Sequence, residues 1–195
     1  MTDEKELMMR VKAGQLDSLA TLFESNKSRL FNYFRRMGNS PEVSEDLVQE
    51  TFMRILAYRT SFNGTSSFRT WLYGIARNTS VDHFRKHKNS AGHEEFDETL
   101  MDGDTTLCEE LELEQKHSLF NRALLGMPVE MREIIVLSRF QQMKYEDIAD
   151  LINCNLNTLK SRMSLAIGRL KESYQRLSDE PIVTNMNKNS GEEMT

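Results

Sequence analysis

Apolar spacing divides the chain into two blocks of helical periodicity separated by a stretch that has none. From Glu4 to about Met37 the apolar residues recur three and four apart: Leu7 and Val11, then Leu16, Leu19, Ala20, Leu22 and Phe23, then Leu30, Phe31 and Phe34. Gly14 splits this run into a short first helix and a longer second one. GNSPEVSED opens the next helix, with Ser44 as the capping side chain and acids crowding the first turn. Leu47, Val48, Phe52, Ile55 and Leu56 then face inward. SFNGTSS breaks that helix, and SSFRTWLYGIARNTSVDHFRKHK, residues 66–88, forms a fourth. At about 100° per residue, its Phe68, Trp71, Leu72, Ile75 and Thr79 share one side, the predicted core face.

The pattern stops after Lys88. Between Ser90 and Gln115 there are ten acids and no lysine or arginine. Such a segment buries little and predicts a flexible, extended linker. Periodicity resumes near Leu111 and is established by Leu119. MPVEMREIIVLSRFQQM predicts a helix with proline in its first turn, KYEDIADLI a short helix, NCNL a tight connection and NTLKSRMSLAIGRLKESYQRL a longer helix. SDEPIVTNMNKNSGEEMT predicts a disordered tail. The fold class is therefore all-α: two small helical domains joined by a flexible acidic linker, the second a helix-turn-helix domain. The expected boundaries are 1–89, 90–117, 118–177 and 178–195.

Composition agrees: 195 residues with only three prolines and nine glycines favour helices with short connections. The N-terminus lacks the apolar core of a signal peptide, and no apolar run approaches the ~20 residues that span a bilayer. Cys108 and Cys154 form no CxxC pair, so reduced thiols and a cytoplasmic location are expected, without membrane insertion.

Net charge is −5, so cations gathered on the fourth helix serve something local. Roughly opposite its core face lie Arg69, Tyr73, Arg77, Phe84 and Lys88. An exposed face of rings and cations suits single-stranded nucleic acid, where cations track phosphates and bases stack on aromatics. The same pattern equally fits a helix whose arginines snorkel and whose rings tuck under a neighbour.

In the second unit a short helix, a turn and a longer helix have helix-turn-helix spacing. Leu159, Met163, Ala166 and Leu170 form the inward stripe, opposite Asn157, Ser161, Ser164 and Gly168 with Lys160, Leu165, Arg162 and Arg169 alongside. Small polar residues flanked by cations suit a major groove; a plain helical hairpin has the same spacing.

No catalytic signature emerges. His83 and His87 sit four apart, the geometry of a zinc pair, but lack a nearby third ligand in a basic setting. Glu45, Asp46 and Glu50 at a helix start read as dipole partners or a protein-binding face. No enzyme, cofactor, metal or small-molecule substrate is expected.

EDLVQETFMRIL, FNGTSSFRTWLYGIARNTSVDHFRK, MPVEMREIIVLSRFQQMKYEDIADLI and NTLKSRMSLAIGRL, in that order around an acidic linker, resemble an extracytoplasmic-function sigma factor of the sigma-70-type family. The resemblance implies an N-terminal region 2 that binds the clamp of the largest RNA polymerase subunit through Asp46, Gln49, Glu50 and Met53. It implies that the loop with Asn63, Ser66 and Ser67 holds a flipped base of the minus-ten element, with Phe68, Arg69, Tyr73, Arg77 and Asn78 supporting that strand. The C-terminal unit resembles region 4, bound at the flap of the second-largest subunit and reading the minus-thirty-five element. Asn157, Thr158, Lys160, Ser161, Arg162, Ser164, Leu165 and Arg169 fall at its DNA-contacting positions. The linker is expected to thread polymerase channels that otherwise hold RNA, and an anti-sigma factor is an implied partner.

Two departures stand out. After KSR the run is MSLAIGRL, where relatives carry further arginines, so phosphate contacts are fewer and base preference can differ. The turn NCNLN has no glycine, and asparagine is expected to supply any left-handed residue. With Lys160, Arg162, Arg169, Lys171 and Arg176 as the available cations, the salt slope of duplex binding reaches only about −4 to −5. Free binding should therefore be negligible at physiological salt. The alternative is a stand-alone helix-turn-helix regulator of operators, which leaves EDLVQETFMRIL and the aromatic-basic helix unexplained. A metal enzyme built on His83 and His87 is more distant.

Overall fold

The computed structural model of the chain describes residues 3–87 and 107–179; for His87 and residues 107–115 only the backbone course is described. The expected linker core and tail tip lie outside the described residues. Among the described residues all regular structure is helical.

Helix α1 (Glu4–Lys12) is capped by Asp3, whose carboxylate accepts from the Lys5 amide at 3.1 Å, and carries acids in its first turn and bases in its last. Gly14, at φ 96°, turns the chain into α2 (Asp17–Arg36). That helix ends in a Schellman arrangement around Gly38 at φ 102°: the Gly38 amide donates to Arg35 and the Asn39 amide to Phe34. Helix α3 (Pro41–Ala57) then begins three residues before the predicted cap. Ser40, not Ser44, is the N-cap, with Pro41 preset at the first helical position and Ser44 fully buried. A 3-10 turn (Arg59–Ser61) and the loop to Ser67 lead into α4 (Phe68–His87), which Ser67 caps by accepting from the Thr70 amide at 3.0 Å.

Leu22, Leu30, Phe34, Leu47, Phe52, Ile55, Phe68 and Leu72 are the buried centre of this first unit. Each large apolar side chain so buried contributes roughly 1.5–3 kcal/mol.

The second unit is α5 (Leu107–Leu125), α6 (Val129–Ile135), a π-turn (Val136–Phe140), α7 (Tyr145–Leu151) and α8 (Leu156–Asp179). Helix α5 begins ahead of Leu111, inside the acidic segment, and Pro128 precedes α6 as its N-cap. Asn153 takes the left-handed conformation at φ 55°, so the glycine-free turn is made as expected, and Asn155 caps α8 by accepting from the Thr158 amide at 2.7 Å. Leu159, Met163 and Ala166 are buried, as the stripe predicted.

The two units do not stand apart. Helix α4 packs on α7, and α2 packs on the π-turn and α5, so the two cores run into one continuous apolar cluster. Gly74 permits the α4–α7 approach: a Cβ there would lie 3.5 Å from the Leu151 side chain.

Candidate nucleic-acid interface

Three faces carry the residues singled out from sequence, and they differ in what covers them. Asp46, Gln49, Glu50 and Met53 lie at i, i+3, i+4 and i+7 on α3, all exposed, with Met53 at 63%. Arg54 braces that face, reaching Glu50 at 2.8 Å on its own helix and Asp82 on α4 at 2.7 Å. The hydrogen bond from Arg54 holds the Asp82 carboxyl below the usual carboxylate range.

On α8, Asn157, Lys160, Ser161, Arg162, Ser164, Leu165 and Arg169 are all exposed, with Thr158 half-buried at the helix start. Asn155, Leu156, Asn157, Thr158, Ser161 and Arg162 together line a shallow depression at that end. The helix thus presents its polar and cationic face to solvent, with Leu165 at 51% exposure the large apolar side chain on it.

The face of α4 is different. Phe68 is a core residue, packed against Phe62 and Trp71, and it anchors the preceding loop from beneath. In that loop Asn63 accepts from the Thr65 amide at 3.0 Å and hydroxyl at 2.7 Å, around Gly64 at φ 72°. Asn63, Ser67 and Asn78 are exposed and Ser66 half-buried. Tyr73, placed by periodicity on an outward face, is only 1% exposed. The C-terminal unit covers it, so the reading in which rings tuck under a neighbour holds for Tyr73, while Phe84 stands 64% exposed.

The cover is made of polar contacts. The Tyr73 hydroxyl donates to the Gln141 side-chain oxygen at 2.6 Å, and the Gln141 amide donates to the Arg29 carbonyl at 3.3 Å. Arg77 Nε stands 3.0 and 3.2 Å from the two Glu133 oxygens, and the Tyr33 hydroxyl donates to the nearer of them at 3.3 Å. Burial, then the adjacent Glu133 carboxylate, pushes the Tyr33 phenol well up; burial does the same for Tyr73. The Thr70 hydroxyl donates to Asp147 at 3.1 Å, and Arg69 reaches the Gln141 carbonyl at 3.4 Å. Arg132 ties the rear of the seam, donating to the Met37 carbonyl at 2.8 Å and to the carbonyls of Leu125 and Met127; burial lowers its pKa. Arg36 lies over the Phe140 ring at 4.1 Å.

The π-turn explains how Gln141 gets there. Its backbone amide donates five residues back, to Val136, placing Gln141 at the end of the π-turn, and Gln142 after it takes φ 53°. Tyr33, Glu133 and Gln141 escaped the sequence reading. Glu133 carries the one available signal, a carboxylate inside the apolar run MREIIVL that cannot be buried without a partner.

His83 is half-buried, and among the described residues no three of His, Cys, Asp and Glu converge as metal ligands. No described helix is long and apolar enough to cross a membrane.

Two family models match the chain in order: Sigma-70 region 2 over residues 22–90 and Sigma-70, region 4 over residues 117–170. The chain is 32% identical over 138 residues to the ECF RNA polymerase sigma factor EcfG of Rhodopseudomonas palustris, covering 69% of this chain and 72% of that one. It is 28% identical over 170 residues to the RNA polymerase sigma factor YlaC of Bacillus subtilis, covering 84% and 96%. Among solved structures it resembles the sigma factor RpoE of Bartonella quintana, crystallised in complex with the anti-sigma factor NepR. The TM-score is 0.64 and the identity 26%, over 80% of this chain and 96% of that one.

Proposed function

This chain belongs to the extracytoplasmic-function group of the sigma-70 family of RNA polymerase sigma factors, and we propose a division of labour within it. A sigma factor directs transcription initiation on core RNA polymerase, as a DNA-binding regulator. In this one, residues 1–89 hold the polymerase clamp through Asp46, Gln49, Glu50 and Met53. Their loop at Asn63, Ser66 and Ser67 takes a base of the melted minus-ten strand, and Arg69, Tyr73, Arg77 and Asn78 follow that strand while Phe68 supports the loop. Residues 118–177 sit at the flap and read the minus-thirty-five duplex through Asn157, Thr158, Lys160, Ser161, Arg162, Ser164, Leu165 and Arg169. Residues 90–117 join them as an acidic linker whose last part, from Leu107, is the start of α5, and the residues beyond Asp179 form a tail. The protein works in the cytoplasm and has no catalytic activity of its own.

The observation that carries this reading is the contrast between the faces. Those assigned to the clamp and to duplex DNA are open, and so is the loop at Asn63 and Ser67, while Tyr73 is buried under the second unit and Arg77 is engaged by its Glu133. A protein that must not touch single-stranded DNA before it meets polymerase needs this arrangement. Polymerase, by holding the units apart at promoter spacing, supplies both the opening and the effective concentration. An anti-sigma factor is the partner expected to stabilise the closed or otherwise inactive form.

Run-off transcription with bacterial core polymerase on a library of promoter fragments tests the reading. Discrete transcripts should appear only with the protein and be lost with Arg77→Ala. Sequence-specific duplex binding without polymerase, and no transcripts, would favour the stand-alone regulator, for which the open face of α8 in the free chain is the supporting observation.

A further inference from the structure

The contact between the units is built from groups that resemble the parts of a nucleotide. Glu133 is 5% exposed and sits on α6 in a run of apolar residues. Its carboxylate is an anion with two acceptor oxygens, both within 3.2 Å of Arg77 Nε, and one of them also accepts from Tyr33. A phosphodiester offers a guanidinium and a phenol the same two acceptors and the same charge. Eight residues on, Gln141 presents a carboxamide to Tyr73, an acceptor and a donor side by side as on a base edge. A buried ionic contact gains little over an apolar one in net stability. It differs in being exchangeable, since another anion can take the carboxylate's place on Arg77 and Tyr33 once the units part.

We propose that Tyr33 and Arg77 form an anion site for a backbone phosphate of unpaired promoter DNA, and that Glu133 is the internal competitor that fills this site when no strand is present. Tyr33 is thereby a DNA-contacting residue of α2, outside the loop and α4 positions expected from the family. That the anion belongs to promoter DNA rests on the sigma reading above; the site and its competitor rest on the geometry. Closure lowers the strand's apparent affinity in proportion to the fraction of open molecules, so weakening the competitor should raise it.

The test uses the full-length chain and a fluorescent single-stranded oligodeoxynucleotide, followed by anisotropy. Glu133→Gln, which keeps the shape and removes the charge, should bind it about tenfold more tightly than the natural chain. Adding Tyr33→Phe should remove most of that gain. The phenylalanine keeps the ring contacts with Phe34 and Tyr73, at 5.3 and 5.2 Å, and circular dichroism checks that the fold is retained. A second measurement alters the strand itself. Walking a neutral methylphosphonate along the strand should find one linkage whose neutralisation weakens binding to Glu133→Gln more than to Glu133→Gln/Tyr33→Phe, where Arg77 alone still meets the charge. Equal strand affinity of the natural chain and Glu133→Gln overturns the proposal, and so does the absence of any such linkage. Run-off transcription by the natural chain separates the two ideas. Transcripts without a Glu133 effect sink the anion site alone; a Glu133- and Tyr33-dependent strand site without transcripts sinks the sigma reading and leaves the site standing.

Discussion

The Tyr73 hydroxyl donates to Gln141 across 2.6 Å, joining residues 68 positions apart at the buried centre of the seam between the two units. Replacing Gln141 with leucine leaves that hydroxyl without its acceptor in a place water does not reach. An orphaned buried polar group costs about 1–3 kcal/mol, a factor of about 5 to 150 in the closed-to-open ratio. The hydroxyl is wetted on opening, so the penalty falls on closure rather than on the folding of either unit. Gln141→Leu should therefore enlarge the radius of gyration measured by X-ray scattering while leaving the helical circular dichroism unchanged. An unchanged radius would mean that the apolar part of the seam holds the units together by itself.

Gly74 offers an independent way to pry the seam. It lies within α4, so an alanine costs nothing in backbone conformation and removes a helix-interior glycine, a gain of about 0.8–1 kcal/mol. Its Cβ would meet Leu151 of α7 at 3.5 Å, an ordinary contact. Anything longer has to displace α7. Gly74→Ala should raise the melting temperature and stay closed, whereas Gly74→Leu should open the units and strengthen binding of single-stranded DNA. A Gly74→Leu variant as compact as the natural chain would argue against the close α4–α7 approach.

The α3 face proposed for the clamp needs no opening. Asp46 and Gln49 are exposed, so an Asp46→Ala/Gln49→Ala variant should keep the stability of the natural chain within about 0.5 kcal/mol. It should lose binding to core polymerase by an order of magnitude or more in a pull-down titration, two truncated contacts of about 1 kcal/mol each being enough. Retained core binding would move the clamp contact elsewhere.

The Arg54–Asp82 pair at 2.7 Å fixes α3 against α4 behind that face, and Arg54 holds the Asp82 pKa below its unfolded value. A carboxylate with a depressed folded pKa contributes stability that is present above its unfolded pKa, near pH 3.9. That contribution is lost as pH falls through the folded value. Asp82→Asn should accordingly melt slightly below the natural chain at pH 7, and the gap should shrink as pH falls below the unfolded carboxylate pKa of about 3.9. The pair is solvent-exposed, so the effect is small; a gap that widened on acidification would reverse the assignment.

The helices were legible because their apolar faces repeat with the helical period, and the stripe Leu159, Met163 and Ala166 is buried as predicted. Pro41 marks the start of α3 better than Ser44 does, since a proline at the first helical position needs its cap immediately before it. The seam was not legible, for a physical reason. Periodicity shows which residues share a face, but not whether water or another unit covers that face. Tyr73 and Arg77 find their partners 68 and 56 residues away, across a segment with no pattern of its own, through a π-turn that has no sequence signature. The face was found; its occupant was not.

The proposed reading of duplex DNA by α8 gives Leu165 a part in promoter choice. Leu165 is 51% exposed on the open face of α8, with Ser161 one turn before it and Arg162 and Arg169 beside it on the same surface. In that reading short serines would let the helix approach base edges closely, and the arginines would hold the backbone on either side. The base feature that an aliphatic side chain recognises in a major groove is the thymine methyl. Burying that methyl is worth roughly 0.8 kcal/mol, or about fourfold in affinity. Exchanging thymine for uracil at one minus-thirty-five position after another, in promoters bound by the reconstituted holoenzyme, should find one position that weakens binding by about that factor. Leu165→Ala should bind the thymine and uracil promoters alike at that position, while keeping the salt dependence of the natural chain because no phosphate contact is lost. If every thymine can be replaced without effect, Leu165 does not read the base, and the specificity of α8 must come from the hydrogen bonds of Ser161, Ser164 and Arg162.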